Sequence, residues 1–366
     1  MPEKNATDRG VKPKNELLRS DDLFGLKTAY HIFFPFSCSF LIYFSISLHI
    51  RNRALATEHY TINVRGRLVD LGIPQVMGVL NATPDSFYAG SRKQTERDIA
   101  DRANRIIAEG GSMIDVGAYS TRPHAVRIDE EEEMRRMRAA LAVVRREQPD
   151  AILSVDTFRP NVMRMAADEY GADIINDVSG GNADGCFGGT GDRTETQEPV
   201  FTALRLPYIL MSSEPTIEKI LVDFARKVRL LRGAGVKDII LDPGFGFGKT
   251  LRQNYEVLAN LPKLRVMHLP VLVGVSRKSM IYNLFGTSPD EALNGTTVIN
   301  TIALMQASVN ILRVHDVKEC VEAVKIVTLN SQIESMIRLP EQEISTAGDH
   351  EGRPYTLNSQ LSTLNS

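Results

Sequence analysis

The residues of this chain that could do chemistry recur at one kind of place, the end of a short apolar run, next to Gly, Pro, Ser or Thr. Asn81 ends the run 76–81 and leads into Thr83-Pro84-Asp85-Ser86-Phe87, and Ser120-Thr121-Arg122-Pro123 follows the run 113–118. Asp156-Thr157 stands at the end of 152–156, Asn176-Asp177 within 174–178, and Asp242-Pro243-Gly244 at the end of 239–242. Ser276-Arg277-Lys278-Ser279 follows 271–275, and the run 311–314 carries Arg313 and leads into His315-Asp316. Any one such ending is explained by an N-cap or a turn. Seven of eight together build a pocket lined by acceptors, amides and cationic donors.

These runs are the strands of a regular architecture. Including 208–211, eight short β-branched runs alternate with stretches of 3.6-residue periodicity, the signature of consecutive βα units. The clearest helix is 130–146, with an acidic first turn and later arginines that suit the helix dipole; its charge run is a solvated face. Eight units favour a closed (β/α)₈ TIM barrel over an open doubly wound sheet. Polar strand ends then lie at the carboxyl mouth, where such barrels carry their active sites.

The chain has 366 residues and a net charge of -2, enough for one barrel of roughly 250 residues with segments to spare. Charged residues make up 24% in near balance, so no basic stripe points to nucleic acid. Three scattered cysteines, Cys38, Cys186 and Cys320, without a CxxC pair, read as ordinary reduced thiols. Residues 1–58 form a non-barrel extension, 59–329 the barrel, and 330–366 a polar, flexible tail. The extension holds an uncharged apolar run of about 17 residues from Ile32 to Leu48, interrupted by Pro35 and followed by Arg51 and Arg53. A cytoplasmic protein is expected, with membrane association through this run as the competing reading.

Two decoys fall away. Gly244-Phe245-Gly246-Phe247-Gly248-Lys249-Thr250 resembles a phosphate loop, but Pro243 stands where the first glycine of that motif belongs. The seven histidines are scattered, with no HExxH, so a structural metal is not expected.

Taken in order, the strand-end strings resemble dihydropteroate synthase from about Thr61 to Ile326. They are Gly78-Val79-Leu80-Asn81-Ala82-Thr83-Pro84-Asp85-Ser86-Phe87, Ser120-Thr121-Arg122-Pro123, Ser154-Val155-Asp156-Thr157, and Ile175-Asn176-Asp177-Val178-Ser179-Gly180-Gly181. Leu241-Asp242-Pro243-Gly244, Gly274-Val275-Ser276-Arg277-Lys278-Ser279 and Leu312-Arg313-Val314-His315-Asp316 complete the set. Each string is weak alone, and seven in register are specific.

The resemblance implies an enzyme of folate synthesis that joins 6-hydroxymethyl-7,8-dihydropterin pyrophosphate to 4-aminobenzoate and releases pyrophosphate, with a homodimer expected. Asp156 and Asp242 would accept from the donor-rich amino-pyrimidine edge of the pterin, with Asn176 on the same edge and Lys278 on the carbonyl and N5 side. Arg313 and His315 would hold the pyrophosphate, while Asn81 would add a hydrogen bond or a Mg2+ contact. Ser279 would dock the carboxylate of 4-aminobenzoate, and Pro123 and Phe247 would sandwich its ring. Asp85, Thr121 and Arg122 lie on loops that would close over the site, and together with Lys278, Arg313 and His315 they make the expected catalytic set.

Three departures from the family pattern stand out. Ala89 replaces a second aspartate, Leu210-Met211-Ser212-Ser213-Glu214-Pro215 replaces Leu-Met-His and a long loop, and the Gly-rich residues 184–198 replace a helix. They leave two other readings to weigh. A methyltetrahydrofolate-binding methyltransferase barrel would share the Asp and Asn ring contacts but would not need Arg313, His315 or Ser279. A degenerate barrel would bind pterin or a partner without turnover.

Overall fold

The computed structural model describes residues 59–82, 92–119, 127–181, 203–306 and 308–338. The extension 1–58, the candidates Asp85, Thr121, Arg122 and Pro123, residues Ala89 and 184–198, and the end of the tail fall outside those ranges.

The eight expected strands are present as β3 (Gln75–Asn81), β4 (Met113–Gly117), β5 (Ile152–Asp156), β6 (Ile174–Asp177), β7 (Tyr208–Met211), β8 (Ile239–Asp242), β9 (Leu272–Val273) and β10 (Ile311–Val314). They pair in parallel in the order β8-β7-β6-β5-β4-β3-β10-β9, and a parallel bridge between Leu241 and Val271 closes the ring. Strand β9 is shorter than the expected 271–275. Pro270 ahead of it has no N–H to donate, and Val271 turns its carbonyl to the N–H groups of Asn310 and Ile311.

Helices α1 (Arg92–Ala108), α2 (Glu130–Glu147), α3 (Pro160–Tyr170), α4 (Ile217–Gly233), α5 (Leu251–Ala259), α6 (Ser279–Phe285), α7 (Leu293–Met305) and α8 (Val317–Arg338) belong to the outer layer. Their ends follow local rules. Asp129 caps α2 through the Glu132 N–H, and Thr250 and Gln253 form a reciprocal capping box on α5. Helix α8 runs to Arg338, past the expected limit at 329, through a stretch without Gly or Pro to stop it. No helix among the described residues is long and apolar enough to cross a membrane.

Alternation along the strands divides the core in two. Ile114, Val116, Leu153, Val155, Ile175, Leu210, Leu241 and Leu312 pack outward against helix residues such as Ile106, Leu141 and Phe224. Met77, Met113, Ile174, Ile209, Ile240, Leu272 and Ile311 face inward as one cluster, which makes a dry floor to the barrel.

A hairpin that the strand count does not include, β1 (Thr61–Val64) and β2 (Arg67–Asp70), adds Ile62, Val64 and Leu71 to this floor. Its turn has Arg65 at φ 49° and Gly66 at φ 78°, two positive values that suit a tight antiparallel hairpin. Arg65 also forks onto the buried Asp173 with two 2.7 Å bonds, and Asp173 accepts from the Leu153 N–H at 2.9 Å. The hairpin is thereby tied to the strand it covers.

Candidate active site

Above the apolar floor the inward positions turn polar. In β4 the inward sequence is Met113, Asp115, Gly117; in β5 it is Ile152, Ser154, Asp156, and Asp115 lies in register with Ser154. Asp115 is fully buried and accepts four contacts: Ser154 Oγ at 2.6 Å, Asn176 Nδ2 at 3.3 and 3.2 Å, and Arg313 Nε at 2.6 Å. Arg313 then reaches from β10 to Asp156 with its Nη2 at 2.7 Å. Four strands thus deliver Asp115, Asp156, Asn176 and Arg313 to a single cluster. Burial pushes the Asp156 carboxyl up to about 7 against the pull of Arg313. Burial alone would lower the Arg313 guanidinium, but Asp115 and Asp156 outweigh it and hold the cation well above its ordinary value.

Beside this cluster stands a second one. Asp242, at the end of β8, accepts from the Gly244 N–H at 2.8 Å, and Gly244 sits at φ +65° where a Cβ would come within 2.3 Å of the Ser212 carbonyl. Only glycine fits that turn. Burial raises the Asp242 carboxyl, opposed first by the nearby Lys278 ammonium. Lys278 is lowered to about 8 by burial, against the attraction of Asp242. Its Nζ donates to the Phe245 carbonyl at 2.5 Å and lies 4.6 Å from the centre of the Phe247 ring. Lys249, the residue that made the loop resemble a phosphate site, instead turns its ammonium onto the carbonyls of Gly244, Ser212 and Phe247 at 2.9, 3.3 and 3.3 Å. It fastens the loop that carries Phe247 to the end of β7.

The remaining expected residues stand around the same mouth. His315 Nδ1 is 3.0 Å from Ser276 Oγ, and the His315 N–H donates to that same oxygen at 3.1 Å. Arg102 of α1 holds the His315 carbonyl at 2.7 Å and the Val79 carbonyl at 3.1 Å, joining β10 to the strand that ends in Asn81. Asn81 is exposed and stands in register with Gly117, which in turn pairs with Asp156. A Cβ on Gly117 would lie 3.4 Å from the Asp156 Cβ and 3.8 Å from the Asn81 Oδ1, so Asn81 and Asp156 flank the same strand position at the mouth. Ser279 opens α6 directly after Lys278. Arg277 faces away from this set, forked onto Asp316 at 2.9 and 2.8 Å.

At the altered end of β7, Ser212 is buried and donates to Asp223 of α4 at 2.8 Å, and Lys227 closes the other side of Asp223 at 3.0 Å. The chain enters α4 at once, with Thr216 as its cap. The replacement for the family's histidine is therefore a satisfied polar network.

Sequence reasoning did not single out Asp115, and it gave no role to Ser276 or Lys249. Ser276 and Lys249 support neighbours through bonds that no spacing rule reveals. Asp115 did leave a signal, a carboxylate in the middle of a buried apolar strand, which is costly unless paired.

The description "Pterin binding enzyme" matches residues 77–315. The dihydropteroate synthase of Escherichia coli strain K12 is 38% identical over 270 residues, covering 72% of this chain and 94% of that protein. The dihydropteroate synthase of Clostridium beijerinckii is 36% identical over 260 residues, 69% of this chain and 92% of that one. Among solved structures, the Xanthomonas albilineans dihydropteroate synthase with 4-aminobenzoic acid superposes with a TM-score of 0.66 at 32% identity, covering 76% of this chain and 99% of that one. The Yersinia pestis enzyme in its sulfonamide drug complex gives 0.63 at 34% identity, covering 75% and 100%. With eight parallel strands, the polar mouth and these relatives in agreement, the chain belongs to the dihydropteroate synthase family of pterin-binding enzymes.

Proposed function

We propose that the barrel mouth joins 6-hydroxymethyl-7,8-dihydropterin pyrophosphate to 4-aminobenzoate, giving 7,8-dihydropteroate and pyrophosphate, as a transferase of folate synthesis. The observation that carries this reading is the gathering of three acceptors, Asp156, Asn176 and Asp242, with two cations, Lys278 and Arg313, at one mouth. A pterin offers its donors along one edge, which suits the carboxylates and the amide oxygen. Lys278 faces the ring's carbonyl side.

Breaking the C–O bond to pyrophosphate leaves positive charge on the pterin methylene and negative charge on the leaving group, so fixed charges do most of the work. Arg313 uses Nε and one Nη2 hydrogen on carboxylates, which leaves Nη1 for phosphate oxygens. His315 is the second donor. The 4-aminobenzoate ring would lie along Phe247, with its carboxylate at Ser279, and Asp85, Thr121, Arg122 and Pro123 would close the mouth from their loops.

Magnesium belongs to this reading as a partner of the substrate. Among the described residues no group of three or more His, Cys, Asp or Glu side chains could hold a metal. Asn81, exposed at the end of β3, fits the habit of Mg2+, which takes one or two protein oxygens and completes its shell with water and phosphate. Bound there it would neutralise charge on the pyrophosphate.

Pyrophosphate release from the two substrates tests the assignment directly. Neither the methyltransferase nor the pterin-binding reading produces it, so a folded protein that binds pterin pyrophosphate and releases nothing would sink the proposal. In the same assay kcat/KM for the pterin substrate should rise towards pH 7, as Asp156 gains its charge and becomes a pure acceptor, and fall above about 8, as Lys278 loses its proton. Lys278→Arg should move the alkaline limb up by more than about one pH unit. An unmoved limb would assign it to Lys249, which burial also lowers to about 8.

We further infer a cytoplasmic homodimer. Val298, Ile302 and Met305 on α7 and Ile326 and Leu329 on α8 are large apolar residues exposed at helical spacing, and the two helices pack side by side. A solution mass of one chain, measured by light scattering, would remove the dimer.

A further inference from the structure

We propose that Asp115, which touches no open part of the mouth, is a positioning residue that sets the direction in which Arg313 and Asn176 address the substrate. This rests on the synthase reading above. Asp115 has no exposed surface, and among the described residues the side-chain groups bonded to its two oxygens are donors: the Ser154 hydroxyl, the Asn176 amide and the Arg313 Nε–H. With donors converging on both oxygens, the carboxyl serves as an acceptor on each side.

Two consequences follow for the ligand side. An amide beside an acceptor-only group must turn its nitrogen toward it, so Asn176 holds Nδ2 at 3.2 Å from Asp115 and presents Oδ1 away from it. Arg313 has one Nε hydrogen, and with it fixed on Asp115 at 2.6 Å and Nη2 on Asp156 at 2.7 Å, the guanidinium plane cannot rotate. Asp115 therefore imposes an acceptor at Asn176 and a fixed fork at Arg313, and it does so from the layer beneath the substrate.

The test compares the parent with Asp115→Asn. In either orientation the new amide sets an NH2 against the Asn176 Nδ2, which lies 3.3 and 3.2 Å from the two carboxylate oxygens, so Asn176 is pushed to turn; with the nitrogen on the side of Arg313, the guanidinium loses its acceptor as well. Pterin pyrophosphate affinity, measured by calorimetry without the second substrate, should fall at least about tenfold, and the single-turnover rate should fall at least about tenfold. KM for 4-aminobenzoate should stay within about twofold, because its slot at Phe247 and Ser279 shares no bond with Asp115. A general loosening of the barrel would raise both constants together.

A folded Asp115→Asn protein with the parent's pterin affinity and rate would overturn the proposal, as would an equal loss for both substrates. If Asp115→Asn does not fold, Ser154→Ala decides. It removes a single bond to Asp115, so it should weaken pterin binding about three- to tenfold and spare 4-aminobenzoate, and no change would equally overturn the proposal. Failure of the synthase reading is seen separately, as absence of pyrophosphate release by the parent.

Discussion

Arg313→Lys lowers single-turnover product formation at least about tenfold, a loss of about 1.4 kcal/mol or more in transition-state stabilisation. Lysine preserves the charge, so simple electrostatics is not what is lost. The arginine bridges two carboxylates through different nitrogens, 2.6 Å to Asp115 and 2.7 Å to Asp156, and these sit on neighbouring strands. A single ammonium reaches one of them and leaves the other, or the phosphate, without its partner. Breaking a buried pair outright costs about 3–5 kcal/mol, so the variant should also melt at a lower temperature even with its charge retained. Rates equal to the parent would show that this strand end does not address the leaving group.

Asp242→Asn weakens pterin pyrophosphate binding by about 2–4 kcal/mol, roughly 30- to 1000-fold in dissociation constant. The backbone should tolerate the change, since an amide oxygen can still accept from the Gly244 N–H, now held at 2.8 Å. The amide nitrogen, however, then faces the amino-pyrimidine edge donor against donor, and the buried Lys278 ammonium loses the opposite charge that steadies it. Calorimetric titration decides the matter. An unchanged dissociation constant would remove Asp242 from the pterin pocket.

The barrel was legible because its strands are buried on both faces and read as short apolar runs, and seven of the eight start and stop within about a residue of the expected positions. The hairpin β1–β2 was legible in principle, through the alternation of Ile62 and Val64 and the Arg65-Gly66 turn. Arginine is an uncommon first residue for such a turn, and the segment lies outside the repeating unit that guided the reading. Strand-end carboxylates and cations were found for the same reason that barrels work: side chains there point into a mouth whatever the loop beyond them does. Asp115 was missed because it stands two residues below that mouth, inside Met113-Ile114-Asp115-Val116-Gly117, where only the pairing of four strands reveals its partners. Asp85, Thr121, Arg122 and Pro123 lie outside the described residues, and their part in the site stands on the sequence.

The Arg313–Asp115 bond joins residues 198 positions apart, and this distance matters before the protein has ever met a substrate. A chain emerging from its amino end acquires Asp115 and Asp156 early and the arginine that pairs with both near the end of the barrel. Until β10 arrives between β3 and β9, the sheet has open edges at β3 and β8 or β9, and a collapsed core would bury Asp115 without its arginine. A product that stops before residue 313 lacks both the strand that completes the ring and the cation of this cluster, so it should be less stable than the full barrel.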